Sequence, residues 1–235
     1  YEYNGNTPQV TGNALPYSVR NLVINNNAGP VTLTNSAVTV TNQLTLNSVI
    51  ETGTNAVILN NNTQVSRTSG YVNGILRINN SLGANEKTFH IGDASHYTPV
   101  VVSFSNITTA GGIIARTIAG DHPAIATADI DDNQSVNRYW SLTNDMTVFS
   151  SYDASFTWDS GDEDVGFDIN SIVCGKFNGS SWTYPAPVII AGNSVQITGQ
   201  TSFSAFQFGE PECNNPATVY AGNDQETYRN EPVIL

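Results

Sequence analysis

At 235 residues the chain has room for one large all-β domain or two smaller ones, yet only 12% of its residues are charged, about half the usual share for a globular protein. No apolar run approaches the ~20 residues of a membrane span. The formal charge of −12 argues against nucleic acid or an anionic membrane surface as a partner.

The chain opens with turn dipeptides, Asn4-Gly5 and Gly12-Asn13, around Gln9-Val10-Thr11. Tyr1 begins no basic-plus-apolar leader, so an export signal is expected to lie upstream or to have been removed. Short triplets follow, three of them apolar, Thr, apolar and two wholly apolar: Leu22-Val23-Ile24, Val31-Thr32-Leu33, Val38-Thr39-Val40, Leu44-Thr45-Leu46 and Val57-Ile58-Leu59. Most carry the period-two signature of a strand with one buried face. Taken three at a time, 22–24, 31–33 and 38–40 make one coil, and 44–46, 49–51 and 57–59 the next. A looser third coil takes in Val65, Tyr71-Val72 and Leu76-Arg77-Ile78. Three short strands per coil of roughly twenty residues is the requirement of a parallel β-helix, whose coils bury a core only by stacking. An antiparallel meander shows the same alternation and remains the competing reading. Asn35, Asn42, Asn47 and Asn60 fall at corners, where asparagine tolerates left-handed backbone.

Past Ser81–Lys87 the strands lengthen and aromatics enter. Strand patterns cover 88–91, 99–104, 112–118, 138–142, 154–158, 172–177, 182–184, 188–190, 195–197 and 202–208, with turns at Asn178-Gly179 and Gly192-Asn193. This density predicts an antiparallel β-sandwich of the Ig-like or jelly-roll kind. Phe203, Phe206 and Phe208 do not alternate evenly, which suggests a bulge after the first. The expected organisation is a short β-helix over 1–85, a β-sandwich over 86–210, and a linker with the first strand of a further module over 211–235. Charge supports two different surfaces: residues 1–85 sum to +1 and residues 86–235 to −13.

Several groups of residues bear on chemistry. Asp129, Asp131 and Asp132 form one acidic cluster; Asp159, Asp162 and Asp164 form another. Alternating oxygen ligands suit Ca²⁺, the one cofactor the sequence suggests; solvated, mutually repelling loops are the other reading. Trp182, after the FNGSS turn, and Tyr184 are candidates for stacking on a sugar ring, against core packing for the aromatics as a group. Cys174 and Cys213 suit a disulfide in an exported chain, or stand as separate thiols. His90, His96 and His122 match no zinc spacing. Glycoside hydrolysis needs two carboxyl groups about 5–9.5 Å apart, and between Tyr3 and Asn85 the sole acid is Glu51. No nucleophile elbow, metalloprotease helix or phosphate-binding glycine loop is present.

The segments YNGNTPQVTGNALPYSVRNLVINN (3–26), SGYVNGILR (69–77), TFHIGDASHYTPV (88–100), NRYWSLTN (137–144), FNGSSWTY (177–184) and TGQTSFSAFQFGE (198–210), in this order, cover most of the chain. They resemble large modular surface proteins of Bacteroidetes exported by the type IX secretion system. The tail AGNDQETYRNEPVIL resembles the opening of their Ig-like or PKD-like repeats, which commonly carry a cysteine where this chain has Tyr228 or Arg229. The resemblance implies a secreted, cell-surface adhesin or gliding-adhesin segment, non-catalytic, acting as stalk or contact module. Its expected partners are an extracellular polysaccharide, a surface glycan, or neighbouring modules of the same protein. Two alternatives stay open: a carbohydrate-binding accessory module of a polysaccharide-degrading enzyme, and a filament subunit joined by strand exchange through Val233-Ile234-Leu235 or the open β-helix end.

Overall fold

The computed structural model describes residues 1–34 and 36–212. The protein is all-β: a β-solenoid of about four turns runs into an antiparallel sandwich. The coils stack with the register that the triplets predict. Leu22 pairs with Leu44 and Leu44 with Val65 on one face. Val31 pairs with Ile50, Ile50 with Val72 and Val72 with Ile91 on the second. Val38 pairs with Val57 and Val57 with Leu76 on the third. All these pairings are parallel and one coil apart. Except for the half-buried Val65, the inward members are almost wholly buried, and each of these contributes about 1.5–3 kcal/mol relative to exposure.

The corners work differently from the expectation. No described asparagine adopts left-handed backbone; among described non-glycine residues only Met146 does, at φ 67°. The asparagines instead form side-chain ladders between coils. Asn47 Nδ2 donates to Asn25 Oδ1 at 3.2 Å, Asn42 Nδ2 to Asn21 Oδ1 at 2.8 Å, and Asn79 Nδ2 to Asn60 Oδ1 at 3.4 Å. Thr68 Oγ1 extends the first ladder to Asn47. Sharp backbone falls to glycine: Gly74 has φ 123°, and a Cβ there would collide with Thr52 Oγ1. Asn35 lies outside the described residues.

The solenoid passes directly into the sandwich. Val72–Asn79, which lies parallel to Ile50–Leu59 on one side, pairs antiparallel with Gly112–Ala119 on the other (Leu76 with Ala115, Asn79 with Gly112). That sheet continues through Ile130–Asp145 and Ala205–Pro211 to Val173–Phe177 and Trp182–Thr183. The facing sheet holds Gly83–Phe89, Val100–Thr109, Tyr152–Thr157, Ser194–Gln200 and Val188–Ala191, with Val148–Phe149 at the end of the second of these. Trp140, Phe156, Phe206 and Phe208 fill the space between the sheets, with Trp140 5.4 Å from Phe156 and 5.7 Å from Phe208. A single hydrophobic cluster runs from Leu15 in the solenoid to Phe208 in the sandwich.

Two details of the sandwich correct the sequence reading. Phe203 precedes the strand Ala205–Pro211 and stacks on Tyr152 at 4.2 Å, so the uneven phenylalanine spacing marks a strand start and not a bulge between Phe203 and Phe206. The acidic stretch 129–133 is largely strand, the opening of the sixteen-residue Ile130–Asp145, whose register against Ala205–Pro211 shifts twice. No helix among the described residues is long and apolar enough to cross a membrane.

Candidate functional site

A groove of about 730 Å³ opens where four separate segments meet. Ser141 and Thr143 come from the second half of Ile130–Asp145, Thr147–Phe149 from the turn that follows, Asn178-Gly179 from the hairpin 177–182, and Thr201–Ala205 from the approach to the last strand. His122 stands at its wall. Some polar groups there build the groove itself. Asn144 exchanges bonds with Thr147, giving Nδ2–H to the carbonyl at 2.8 Å and accepting N–H at 2.9 Å. Asn178 Oδ1 accepts from Ser180 N and Ser181 N, closing the hairpin turn. The side-chain hydroxyls of Ser141, Thr143, Thr201 and Ser202 have no hydrogen bond among the described residues. Phe149, Phe177 and Phe203 supply apolar wall. Among the described residues, no aspartate, glutamate, lysine or arginine lines the groove. The site is therefore rich in hydroxyls and rings and poor in charge, the chemistry that matches a neutral, hydroxyl-bearing ligand.

Beside the groove, His122 is set in an aromatic cluster, with ring centroids 4.9 Å from Tyr139, 4.9 Å from Phe177 and 5.1 Å from Trp182. Burial pushes its pKa below the ordinary histidine value. Trp182, singled out from sequence as a stacking platform, is half-buried in this cluster. Its Nε1–H donates to Ala124 O at 3.2 Å and Thr127 Oγ1 at 3.1 Å, and its ring lies over Gly175, where a Cβ would sit 2.9 Å from it. Tyr184 is 39% exposed, and its hydroxyl accepts from Asp129 N at 2.6 Å. Both residues hold the 122–129 segment down, and neither lines the groove. Trp140 and Trp158 are core residues.

Among the described residues there is no group of three or more His, Cys, Asp or Glu side chains placed to hold a metal ion. Asp131 and Asp132 stand at a separate depression with Asn133 and Glu212. Asp159 caps the short 3₁₀ turn Ser160–Asp162 by accepting from Gly161 N at 2.9 Å. Asp164 accepts from Ser135 N at 2.9 Å and from Asn137 Nδ2 at 2.7 Å. Asp162 belongs to an ion-pair network that the sequence reading missed. Arg138, 0% exposed, gives Nε–H and Nη2–H to Asp162 at 2.9 Å each and Nη2–H to Asp93 at 2.6 Å. His96 stands 3.2 Å from Asp162 on its outer side. Burial alone would raise the Asp93 pKa, but N–H donors from Ser95 and His96 and the guanidinium outweigh it and hold the carboxyl below its usual value. A signal for this network does exist in sequence: Arg138 shares the period-two face of Trp140 and Leu142, which places a cation on the buried side.

The histidines sit apart: His90 Nδ1 is 2.7 Å from the Tyr97 hydroxyl, His96 lies on Asp162, and His122 is at the groove. Cys174 is fully buried and its thiol pKa is pushed up by that burial; Cys213 lies outside the described residues. The tail 213–235, including Val233-Ile234-Leu235, Tyr228 and Arg229, lies outside them as well. No protein-family model, no curated protein and no solved structure matches this chain.

Proposed function

We propose that this chain is a non-catalytic segment of a secreted cell-surface adhesin, and that the groove between Thr143, Asn178 and Thr201 is its contact site for a neutral glycan. The observation that carries the reading is the groove's lining among the described residues: unpaired hydroxyls and three phenyl rings, with no carboxylate and no fixed positive charge. Hydroxyl and amide groups exchange hydrogen bonds with sugar hydroxyls, and rings cover the C–H faces of pyranoses. A carboxylate pair for glycoside hydrolysis has no members in the lining among the described residues. The scaffold suits a contact module, because solenoid and sandwich share one sheet and one core, so a load on the groove passes to the coils through paired backbone. A polysaccharide-degrading enzyme's accessory module would use the same groove in the same way.

The test is retention of the protein in gels containing soluble neutral polysaccharides. Thr143 is exposed at the groove, so Thr143→Arg places a charge there without touching the core. The wild type is retained, and the variant binds at least about tenfold more weakly. Equal retention of both proteins, or release of reducing ends by the wild type, contradicts the proposal.

A further inference from the structure

His122 is packed on three sides as a phenyl ring would be, yet it is an imidazole. One ring nitrogen is already engaged within the fold, where Ala124 N–H donates to Nδ1 at 3.1 Å. The backbone N–H of His122 donates in turn to Gln207 Oε1 at 2.8 Å, so main chain and ring are both anchored. A neutral imidazole that accepts at Nδ1 carries its proton on Nε2. That Nε2–H has no hydrogen-bond partner among the described residues, although the residue lines the groove. The nearest acid in sequence, Asp121, is engaged elsewhere: its Oδ1 accepts from Ser135 Oγ at 2.7 Å and from Gln207 Nε2 at 2.7 Å. From the other elements packed on the ring come Tyr139, Phe177 and Trp182, none of them charged.

We infer that His122 is the specificity-determining donor of the groove, giving its Nε2–H to a hydroxyl or ring oxygen of a neutral saccharide. The inference rests on the groove being the glycan-contact site. An immobilised donor loses little entropy when it binds, so it discriminates between ligands better than the mobile serine and threonine hydroxyls around it. A ligand without an acceptor at that point leaves a desolvated N–H unpaired. An extended peptide fits less well. Up to Ser141 both edges of Ile130–Asp145 are taken, by Gly112–Ala119 and Ala205–Pro211, and past it the groove presents mainly side-chain hydroxyls and rings, which suit a saccharide better than an added strand. Burial keeps the imidazole neutral to a lower pH than an exposed histidine, which preserves the tautomer through the neutral range.

Isothermal titration of the whole chain with soluble glucan, mannan and xylan tests this, alongside an anionic polysaccharide and a neutral extended peptide. His122→Phe keeps a ring in the cluster and removes the donor; His122→Gln returns an N–H at similar reach. With the neutral polysaccharide that binds, His122→Phe weakens affinity roughly five- to tenfold, and His122→Gln stays within about threefold of wild type. If Thr143→Arg abolishes binding while His122→Phe leaves it unchanged, or if both His122 variants lose equally, the donor assignment is overturned and the groove reading stands. If no neutral polysaccharide binds, if Thr143→Arg has no effect, or if the peptide or the anionic polymer binds in preference, the groove reading falls and the His122 inference falls with it.

Discussion

At the scale of single residues, the most consequential side chain outside the groove is Arg138. It ties three parts of the chain together: its own strand, the Asp93 turn at the end of the solenoid, and the Asp162 turn that follows the strand Tyr152–Thr157. A buried cation with two acids is costly to desolvate, and its loss costs more than its presence gains. Arg138→Met leaves Asp93 and Asp162 uncompensated, and is expected to cost about 3–5 kcal/mol in chemical denaturation. A loss below about 1 kcal/mol would show that the pair is solvated and carries little. Asp93 also makes stability depend on pH. Its folded pKa lies below the unfolded value of 3.8, so its contribution is complete above that value and disappears as pH falls through the lower, folded one. Asp93→Asn lowers stability at neutral pH and flattens the acid limb of the curve; an unchanged acid limb would assign acid lability to other carboxylates.

At the scale of elements, the solenoid was legible in sequence and the groove was not. Each coil must offer apolar residues at fixed inward positions, so Leu22, Leu44 and Val65 repeat at 21–22 residue intervals, and the pattern alone gives the register. That information is local. The join is not: Leu76 meets Ala115 across an antiparallel pairing that no periodicity announces. The groove is harder still, since its lining is ordinary Ser, Thr and Asn drawn from segments between residues 122 and 205, none of which looks unusual in its own stretch. Trp182 misled for a related reason. A tryptophan beside a turn reads as exposed, and only the packing of 122–127 against it shows otherwise. The corner asparagines misled in the opposite direction, because a ladder between coils needs a neighbour 19–22 residues away and not a special backbone angle.

The shared core makes a prediction at this scale. Leu44 is fully buried deep in the solenoid, and Leu44→Ala should cost about 2–5 kcal/mol. All three tryptophans, Trp140, Trp158 and Trp182, lie in the sandwich, so their fluorescence reports a region the substitution does not touch. Because one core joins both regions, the tryptophan signal and the far-ultraviolet circular dichroism should shift together to a lower midpoint. A tryptophan transition that stays at the wild-type midpoint would mean that the two regions melt independently.

At the scale of the whole molecule, residues 1–85 sum to +1 and residues 86–235 to −13, yet among the described residues no charged side chain lines the groove. Binding of a neutral ligand there should therefore change little between low and high salt, in contrast to a site that works by ion pairing. The most direct measurement is the mapping of backbone amide chemical-shift changes on adding a neutral oligosaccharide that the protein retains. The largest changes are expected at 141–143, 178–179 and 201–205, with a further change at His122. Changes centred on the solenoid faces, around Asn21, Gln43 and Gln64, with the groove amides still, would contradict the assignment of this groove as the contact site.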